Sequence, residues 1–455
     1  MENSTIAAIS TPFGQGGIGI VRVSGPDAFQ VAEAVFRPFG GKSAEEMEGY
    51  TAALGRVFDE QGDLDDCILT VFRAPRSYTG ENVAELSCHG GSYNLQRVLR
   101  LCLEKGAAPA QPGEFTRRAF LNGKLDLTQA EAVMDVIAAQ SDAALRGALS
   151  MRDGALTKAI QALCGELLEQ ASHLAAWADY PEEEIEEVET QALSVALSTT
   201  QKKIDRLLAS FDKGKILREG ISAVLAGKPN VGKSTLMNLL AGARRSIVTA
   251  IPGTTRDVVE ETVRVGKVIL RLADTAGLRS TNDPVEAVGV ELARDRLEES
   301  GLILAVFDSS VPLEQEDLLL LEQCRSRPAV AVVNKSDLPS KLELEKVREA
   351  IPLTVMVSAA TGTGAAALEQ AIERAVGIAG LDAAAPMLFS ERQRSCISKA
   401  REQLEQATEA LAFGMTLDAI SVCLDCALDS LLVLTGQKAT EQVVEQVFAR
   451  FCVGK

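Results

Sequence analysis

The amino-acid sequence predicts a multidomain fold that combines α/β domains with an all-α domain. With 455 residues, the chain is too long for a single hydrophobic core. Short β-branched runs near the start give way to alanine- and leucine-rich stretches with helical spacing, and strands then alternate with helices. A helical pattern returns after this alternating region and lasts to the end. The simplest arrangement is therefore an α/β domain inserted into a helical domain.

We divide the chain into four predicted segments. Residues 1–118 form an N-terminal α/β domain, and residues 119–216 form the first half of a discontinuous helical domain. Residues 217–378 form the inserted domain, in which alternation of strands and helices is typical of a doubly wound sheet. Residues 379–455 form the second helical half and end in Cys-Val-Gly-Lys.

The charge and the cysteines restrict the class of protein. The formal net charge is −17 at pH 7, and an acidic surface repels phosphate backbones, so broad nucleic-acid binding by this chain alone is disfavoured. Nine scattered cysteines are typical of reduced cytosolic thiols rather than of a disulfide framework. The sequence lacks a long apolar run and a secretory signal, so we expect a cytoplasmic protein without a membrane segment.

A glycine-rich stretch near the start imitates a dinucleotide-binding motif. Residues 14–19 match the pattern GxGxxG. That motif requires a helix to begin at the glycines, so that the helix N-terminus faces a pyrophosphate. The residues that follow, IVRVSG, have a strand pattern instead. We therefore predict a turn between two strands.

The inserted segment contains a complete phosphate-binding loop. Residues 227–234 are GKPNVGKS and follow the strand-like run ISAVLA. The glycines allow backbone N–H groups to converge on phosphate oxygens. We expect Lys233 to reach the β- and γ-phosphates and the Ser234 hydroxyl to bind Mg²⁺.

Two further phosphate-side motifs follow in order. Residues 253–257, GTTRD, fit a switch I segment with Thr255 as the second protein ligand of Mg²⁺. Residues 274–277, DTAG, follow the strand-like run VILRLA. Asp274 is expected to hold the water shell of the metal, and Gly277 to sense the γ-phosphate.

The base-recognition motifs select guanine. Residues 334–337, NKSD, follow the strand-like run AVAVVN, and the carboxylate of Asp337 can accept two hydrogen bonds from guanine N1 and its exocyclic amine. Adenine has no such pair of donors. Residues 358–360, SAA, follow another strand, and a backbone N–H there would meet guanine O6.

These ordered motifs predict a GTPase domain that resembles the Ras-like superfamily. Leu278 occupies the position where Ras-like switches carry a water-orienting glutamine, so hydrolysis needs another group for that role. The predicted GTP-binding residues are Asn230, Val231, Gly232, Lys233, Ser234, Thr235, Thr249, Ala250, Ile251, Pro252, Gly253, Thr254, Thr255, Asp274, Thr275, Ala276, Gly277, Asn334, Lys335, Asp337, Ser358, Ala359 and Ala360.

Nearly the full length resembles one family. The motifs GKPNVGKST, IPGTTRD and DTAGLR are similar to those of the MnmE (TrmE) family of tRNA modification GTPases. The N-terminal runs GGIGIVRVSG, YTGENVAELSCHGG and QPGEFTRRAFLNGKLDLTQAEA agree with the same family. The family ends in Cys-Ile-Gly-Lys where this chain has Cys-Val-Gly-Lys, and the resemblance weakens over residues 395–445.

The resemblance implies a potassium ion where other GTPases use an arginine finger. Its ligands would be Asn230 and oxygen atoms of Thr249, Ile251 and Thr254. A hard cation with several oxygen ligands can neutralise charge between the phosphates. The resemblance also implies that Glu286 orients the attacking water and that hydrolysis is coupled to pairing of two GTPase domains.

The resemblance further implies a tetrahydrofolate site, for the 5-formyl or methylene form, in an N-terminal domain that also dimerises. Arg22, Glu85 and Lys124 match the family's binding positions, and Lys455 is a candidate contact from the C-terminal tail. A carboxylate suits the N–H groups of a pterin, and cations suit the glutamate tail. Cys452 is a candidate for the transfer chemistry.

The resemblance names the partners as well. The family works as a homodimer with the flavoprotein MnmG, in a heterotetramer, to add an aminomethyl-type group at C5 of the wobble uridine of certain tRNAs. FAD then belongs to the partner, and tRNA is contacted through the complex. The alternative function is that of a ribosome-assembly GTPase, which would predict basic RNA-binding appendages.

One cysteine pair requires its own interpretation. Cys423 and Cys426 are spaced CxxC in an apolar helix-like run, and the sequence nearby offers no second pair of metal ligands. We predict buried thiols.

Overall fold

The computed structural model describes residues 4–179, 189–243, 260–273 and 300–455. The described elements form two compact units. One consists of Met1–Met134, Ile160–Ala171 and Val422–Lys455, and the other of Asp135–Ala159 and Ser172–Ser421. The four predicted segment boundaries stay predictions. The fold class, multidomain α/β plus all-α, is confirmed.

The first unit contains a mixed sheet of seven strands in the order β3-β4-β5-β6-β2-β1-β7. The strands are β1 Ile6–Ile9, β2 Ile18–Ser24, β3 Phe36–Pro38, β4 Thr51–Asp59, β5 Gly62–Phe72, β6 Val83–His89 and β7 Ala108–Pro109. The second unit contains a sheet of six strands in the order β13-β12-β11-β8-β10-β9. Its strands are β8 Ile221–Ala226, β9 Glu260–Val265, β10 Val268–Ala273, β11 Leu302–Asp308, β12 Ala329–Asn334 and β13 Thr354–Met356.

Helices account for most of the remaining described chain. Those before the P-loop are Ala28–Val35, Ser92–Glu104, Glu114–Leu121, Leu127–Ala138, Asp142–Arg152, Ala155–Asp179, Thr190–Leu208 and Phe211–Glu219. Those after it are Lys233–Ala243, Gln315–Cys324, Leu344–Ala350, Ala365–Ala375, Glu391–Ala412, Leu417–Thr435 and Glu441–Phe448. Among the described residues, no helix combines the length and the apolar character that a membrane span requires.

The six-stranded sheet is parallel except for β9, which pairs antiparallel with β10. Every residue of β11 and β12 is buried. Parallel strands covered on both faces need continuous apolar runs, which is why LILAVFD and AVAVVN lack an alternating pattern. The carboxyl ends of β8 and β12 therefore lie on one edge of the sheet, where the P-loop and NKSD begin.

In the seven-stranded sheet, helices Ala28–Val35 and Ser92–Glu104 pack on one face. Successive side chains of a strand point to opposite faces of the sheet. Arg22 on β2 and Glu85 on β6, which are paired neighbours, therefore lie on the other face. The glycine-rich stretch before β2 lies between β1 and β2, so the predicted turn between two strands is confirmed and the dinucleotide motif is a false match.

The C-terminal helix is fixed by an apolar cluster within the first unit. Val444, Val447, Phe448 and Phe451 pack with Leu127 and its neighbours. The Phe448 ring lies 6.3 Å from the Phe120 ring and 5.2 Å from the Phe451 ring, measured between centroids. This packing directs the last residues towards β1 and β2.

Removing a buried aromatic side chain from β11 should destabilise the second unit. Phe307 is 1% exposed, so Phe307→Ala leaves a cavity and should lower the free energy of unfolding by about 3–5 kcal/mol. The matched control is Phe413→Ala, because Phe413 is 84% exposed and its loss should change stability by less than about 0.5 kcal/mol. Urea denaturation of the full chain, followed by circular dichroism, measures both. Equal effects would contradict the assignment of β11 to the core.

Candidate functional site

The P-loop joins the end of β8 to helix Lys233–Ala243, as its sequence predicts. Its glycines are required by space as well as by conformation. Gly227 has φ +150°, and a Cβ there would lie 2.3 Å from the carbonyl oxygen of Val306. Gly232 has φ +97°, and a Cβ there would lie 2.2 Å from Nδ2 of Asn334. Side chains at either position would displace the loop.

The lysine of the P-loop is held by the loop itself. Lys233 Nζ donates hydrogen bonds to the carbonyl oxygens of Gly227, at 2.6 Å, and Lys228, at 2.8 Å. Burial lowers the pKa of the Lys233 ammonium. These carbonyls hold the ammonium at the loop in which phosphate oxygens would bind.

Oxygen-bearing side chains are exposed around the same loop. Ser234 and Thr235 lie exposed in the first turn of the helix. Asn230 is also exposed and has φ +62°, a left-handed conformation that asparagine adopts more readily than most residues. These groups are free to meet a cation or a phosphate.

Asn334 connects the P-loop to the base-recognition loops. Its side chain is 2% exposed; Nδ2 donates to the carbonyl of Val231 at 2.9 Å, and Oδ1 accepts from the N–H of Ala359 at 2.9 Å. Asn334 therefore positions two loops at this edge of the sheet, and its contact with the nucleotide stays a prediction.

Asp337 and Lys335 remain at the surface of this edge. Asp337 is exposed, which is compatible with its predicted role of binding guanine. Lys335 has φ +60°, and its Nζ lies 2.6 Å from Oδ2 of Asp308. Burial alone would raise the pKa of Asp308, but hydrogen bonds from Lys335 and Ser310 outweigh it and leave that pKa below its usual range. Asp308 thereby anchors the NKSD loop.

The SAA loop is closed by its own hydrogen bonds. Ser358 is 1% exposed; its N–H donates to Thr363 O at 2.9 Å, and its Oγ accepts from the N–H of Thr361 at 3.3 Å. Ala359 is buried, whereas Ala360 is exposed. The loop therefore presents its backbone at Ala360.

Twelve predicted site residues, together with Leu278, lie outside the described residues. They are Thr249, Ala250, Ile251, Pro252, Gly253, Thr254, Thr255, Asp274, Thr275, Ala276, Gly277 and Glu286. Their assignments stay predictions.

The second candidate site lies in the first unit, where the two ends of the chain meet. Arg22 and Glu85 are direct neighbours across β2 and β6, and Arg22 Nε donates to Glu85 Oε1 at 2.8 Å. The carbonyl oxygen of Gly454 accepts from Ser10 Oγ at 3.0 Å and from Arg22 Nη1 at 3.5 Å. The tail thus contacts Arg22 of the same chain.

Backbone contacts seat the tail. The N–H of Gly113 donates to the carbonyl of Cys452 at 3.3 Å, while the Cys452 side chain is exposed. Gly454 has φ +94°, and a Cβ there would lie 2.3 Å from the carbonyl oxygen of Ile9. Only glycine fits this close approach.

Aromatic rings support the Arg22 guanidinium. Its carbon lies 5.8 Å from the centroid of the Tyr78 ring and 5.5 Å from that of Phe115. The Tyr78 hydroxyl is 2.9 Å from Thr116 Oγ1, and burial raises the pKa of Tyr78. Sequence reasoning did not find either ring, because the contacts join distant parts of the chain.

Lys455 is half-buried in this charged cluster. Burial lowers the pKa of the Lys455 ammonium and Arg22 lowers it further, whereas Glu85 and Cys452 act in the opposite direction. Lys124 is exposed and donates to the carbonyl of Pro75 at 3.1 Å, so it contacts the loop that carries Tyr78. The structure therefore brings Arg22, Glu85 and the tail into contact and places Lys124 against a neighbouring loop.

The prediction of buried thiols at Cys423 and Cys426 is wrong. Cys423 is half-buried and Cys426 is exposed on helix Leu417–Thr435. The apolar run buries only one face of this helix. Within the described chain, no cluster of three metal-binding side chains includes them.

Comparison with known proteins agrees along the whole chain. Residues 5–124 match the family model described as the N-terminus of GTP-binding protein TrmE, and residues 127–452 match the MnmE helical domain. The chain is 45% identical over 459 residues to the tRNA modification GTPase MnmE of Symbiobacterium thermophilum, with all of both chains covered. It is 41% identical over 458 residues to that of Bacillus subtilis, with 99% of this chain and 100% of the relative covered.

The chain belongs to the MnmE family of tRNA modification GTPases. A further relative, MnmE of Clostridioides difficile, is 40% identical over 456 residues and is covered to 99%. The sequence-based identification of the family is therefore confirmed. The helices that span residues 395–445, where the recognised motifs end, belong to the region matched by the MnmE helical-domain model.

Because the pKa of Lys455 is lowered, its amine should lose its proton at a lower pH than an ordinary lysine does. The extent of Lys455 acetylation is measured by mass spectrometry at a series of pH values. Its midpoint in the folded chain should lie below the midpoint of the same residue in urea-unfolded chain. An ordinary lysine has a pKa of about 10.4. Because the docked tail then binds fewer protons than the free tail, docking should strengthen as pH rises through the lowered pKa. Arg22→Gln should move the midpoint upward. Identical midpoints in folded and unfolded chain would contradict the docked tail.

Proposed function

We propose that the protein is a potassium-dependent GTPase that acts with an MnmG-type flavoprotein on the wobble uridine, position 34, of certain tRNAs. The product would carry an aminomethyl or carboxymethylaminomethyl group at C5, and the one-carbon unit would come from tetrahydrofolate. The observation that carries this proposal is the Arg22–Glu85 pair with the C-terminal tail seated on it. A GTPase that served only as a switch would not need this second charged site.

The donor set at the tail fits a folate. Glu85 offers a carboxylate to pterin N–H groups, and Arg22 and Lys455 offer cations to the glutamate carboxylates. Arg22 already donates one N–H to Glu85, so binding would redistribute hydrogen bonds inside a preformed pair. Lys124, which contacts the loop that carries Tyr78, would add a further cation. Methylene-tetrahydrofolate would supply the one-carbon unit, and FAD would belong to the partner.

Cys452 is the proposed reactive group at this site. Its backbone is held by Gly113 and its thiol is exposed, so the thiol is accessible to a substrate. Glu85 and Lys455 lie in the same charged cluster.

In the GTP site, the described residues fit the two proposed cations. Ser234 presents a hydroxyl to Mg²⁺ at the start of the helix, and Asn230 presents an exposed amide oxygen to K⁺. Lys233 has to leave the carbonyls of Gly227 and Lys228 to reach phosphate oxygens. We assign the remaining K⁺ ligands to Thr249, Ile251 and Thr254, the second Mg²⁺ ligand to Thr255, and the water-orienting role to Glu286.

The charge of the chain supports a division of labour. With a net charge of −17, this protein is a poor partner for tRNA by itself, so we assign tRNA contacts to a heterotetramer in which a homodimer of this chain joins the flavoprotein. A cytoplasmic location is part of this proposal, because the substrate would be tRNA.

GTP hydrolysis should depend on the identity of the monovalent cation. Turnover in K⁺ should exceed turnover in Na⁺ by roughly tenfold or more at constant Mg²⁺, because the cation supplies positive charge between the phosphates. Asn230→Ala should abolish the difference. Glu286→Ala should slow hydrolysis and leave GTP binding intact. Equal rates in the two salts for the wild-type protein would refute the potassium assignment.

Nucleoside analysis tests the modification directly. Cells without the gene should lose the C5-modified wobble uridine, as measured by mass spectrometry of digested tRNA. Complementation with Arg22→Gln should leave the modification lost although GTP hydrolysis persists. The control Arg56→Gln, at an exposed arginine of the same sheet, should restore it. An unchanged nucleoside profile in the deletion strain would overturn the proposed function.

A further inference from the structure

The second residue of the P-loop is clamped by two carboxylates. Lys228 Nζ lies 2.8 Å from Oε2 of Glu314 and 2.7 Å from Oδ2 of Asp317. The lysine side chain is only 11% exposed and that of Asp317 only 4%. A buried charge without a partner of opposite sign costs free energy, so the Lys228 ammonium and the Asp317 carboxylate need each other.

Both carboxylates are held by hydrogen bonds in the first turn of one helix. Glu314 is the N-cap of helix Gln315–Cys324 and forms a capping box with Asp317, in which each side chain accepts from the backbone N–H of the other. Asp317 Oδ1 is buried and has no hydrogen-bond partner among the described residues. Lys228, which pairs with the other oxygen, Oδ2, neutralises this buried carboxylate.

The ammonium stays charged in this clamp. Burial alone would lower the pKa of Lys228, but the hydrogen bonds with Asp317 and Glu314 outweigh it and raise that pKa above its ordinary value. The ion pairs of Lys228 therefore remain intact at neutral pH.

The backbone of the same residue contacts the phosphate-binding lysine. The Lys228 carbonyl accepts from Lys233 Nζ at 2.8 Å, alongside the carbonyl of Gly227. When Lys233 turns to phosphate oxygens, these carbonyls lose their donor, and the glycine-rich loop loses one of its constraints. The side-chain clamp of Lys228 does not depend on Lys233.

We propose that Lys228 is a positioning residue for the GTP site. Its ion pairs with Glu314 and Asp317 hold the start of the P-loop in a phosphate-binding conformation, so that less binding free energy is lost in ordering the loop. This inference rests on the GTP site of the proposed function and is independent of the folate and tRNA parts.

The test separates binding from chemistry. In Lys228→Ala full-length protein, the Kd of a fluorescent GDP analogue should rise about tenfold, the size expected for a lost charged hydrogen bond. The kcat for GTP at saturation should stay within about twofold, because the clamp acts on binding and not on the reacting atoms. Lys228→Arg should restore most of the affinity. The matched control is Lys346→Ala, which removes an exposed lysine from a surface pair in the same unit and should leave Kd unchanged.

The outcomes are distinguishable. Wild-type affinity in Lys228→Ala, or a loss that Lys228→Arg does not recover, would overturn the inference. Failure of the wild-type protein to bind GDP or GTP would instead overturn the GTP part of the proposed function, and the inference with it. If Lys228→Ala lacks a cooperative thermal transition, Glu314→Gln provides the second variant. It removes one charge at a residue whose side chain is 65% exposed. Its Kd should rise about threefold. Unchanged affinity in that variant would contradict the clamp.

Discussion

The hydrogen bonds to the Gly454 carbonyl are the interaction on which the second site depends. They join Ser10 and Arg22, near the start of the sequence, to the penultimate residue of the chain. Chain termini are usually loose, so a terminus that is held by several contacts needs a cause. Here the cause is the apolar packing of Phe448 and Phe451, which fixes the chain just before the last residues. Hydrophobic packing and hydrogen bonds together hold the tail in place.

A comparable order of causes applies to the nucleotide site. The sheet is fixed by the buried runs of β8, β11 and β12, and the loops at its edge are then linked by single polar side chains. Asn334 links the P-loop to the SAA loop, and Asp308 holds the NKSD lysine. Each linking group is nearly buried, so its hydrogen bonds are strong and any unsatisfied partner would be costly. The loops of the site are thus held in place by a few buried side chains.

Much of this fold could be predicted from local patterns. The runs ISAVLA, VILRLA and AVAVVN coincide with β8, β10 and β12, because strands in the interior of a parallel sheet consist mostly of apolar residues. Phosphate-loop motifs are also local, since their glycines are required by backbone geometry. The CxxC run failed for the opposite reason: a helix buries one stripe, here at Leu424, Ala427 and Leu431, and the residues between them can be exposed.

Contacts between distant residues could not be predicted in this way. Lys228 and Glu314 are 86 positions apart, and neither residue type is unusual in its own segment. Tyr78 and Phe115 lie near Arg22 only because the sheet and helix Glu114–Leu121 bring them there. A lysine at the second position of a P-loop and a carboxylate at a helix N-cap each have an ordinary local explanation, so only the structure shows that they form an ion pair. The structure therefore adds the pairing of buried charges, here between Lys228 of the P-loop and two carboxylates outside the motif.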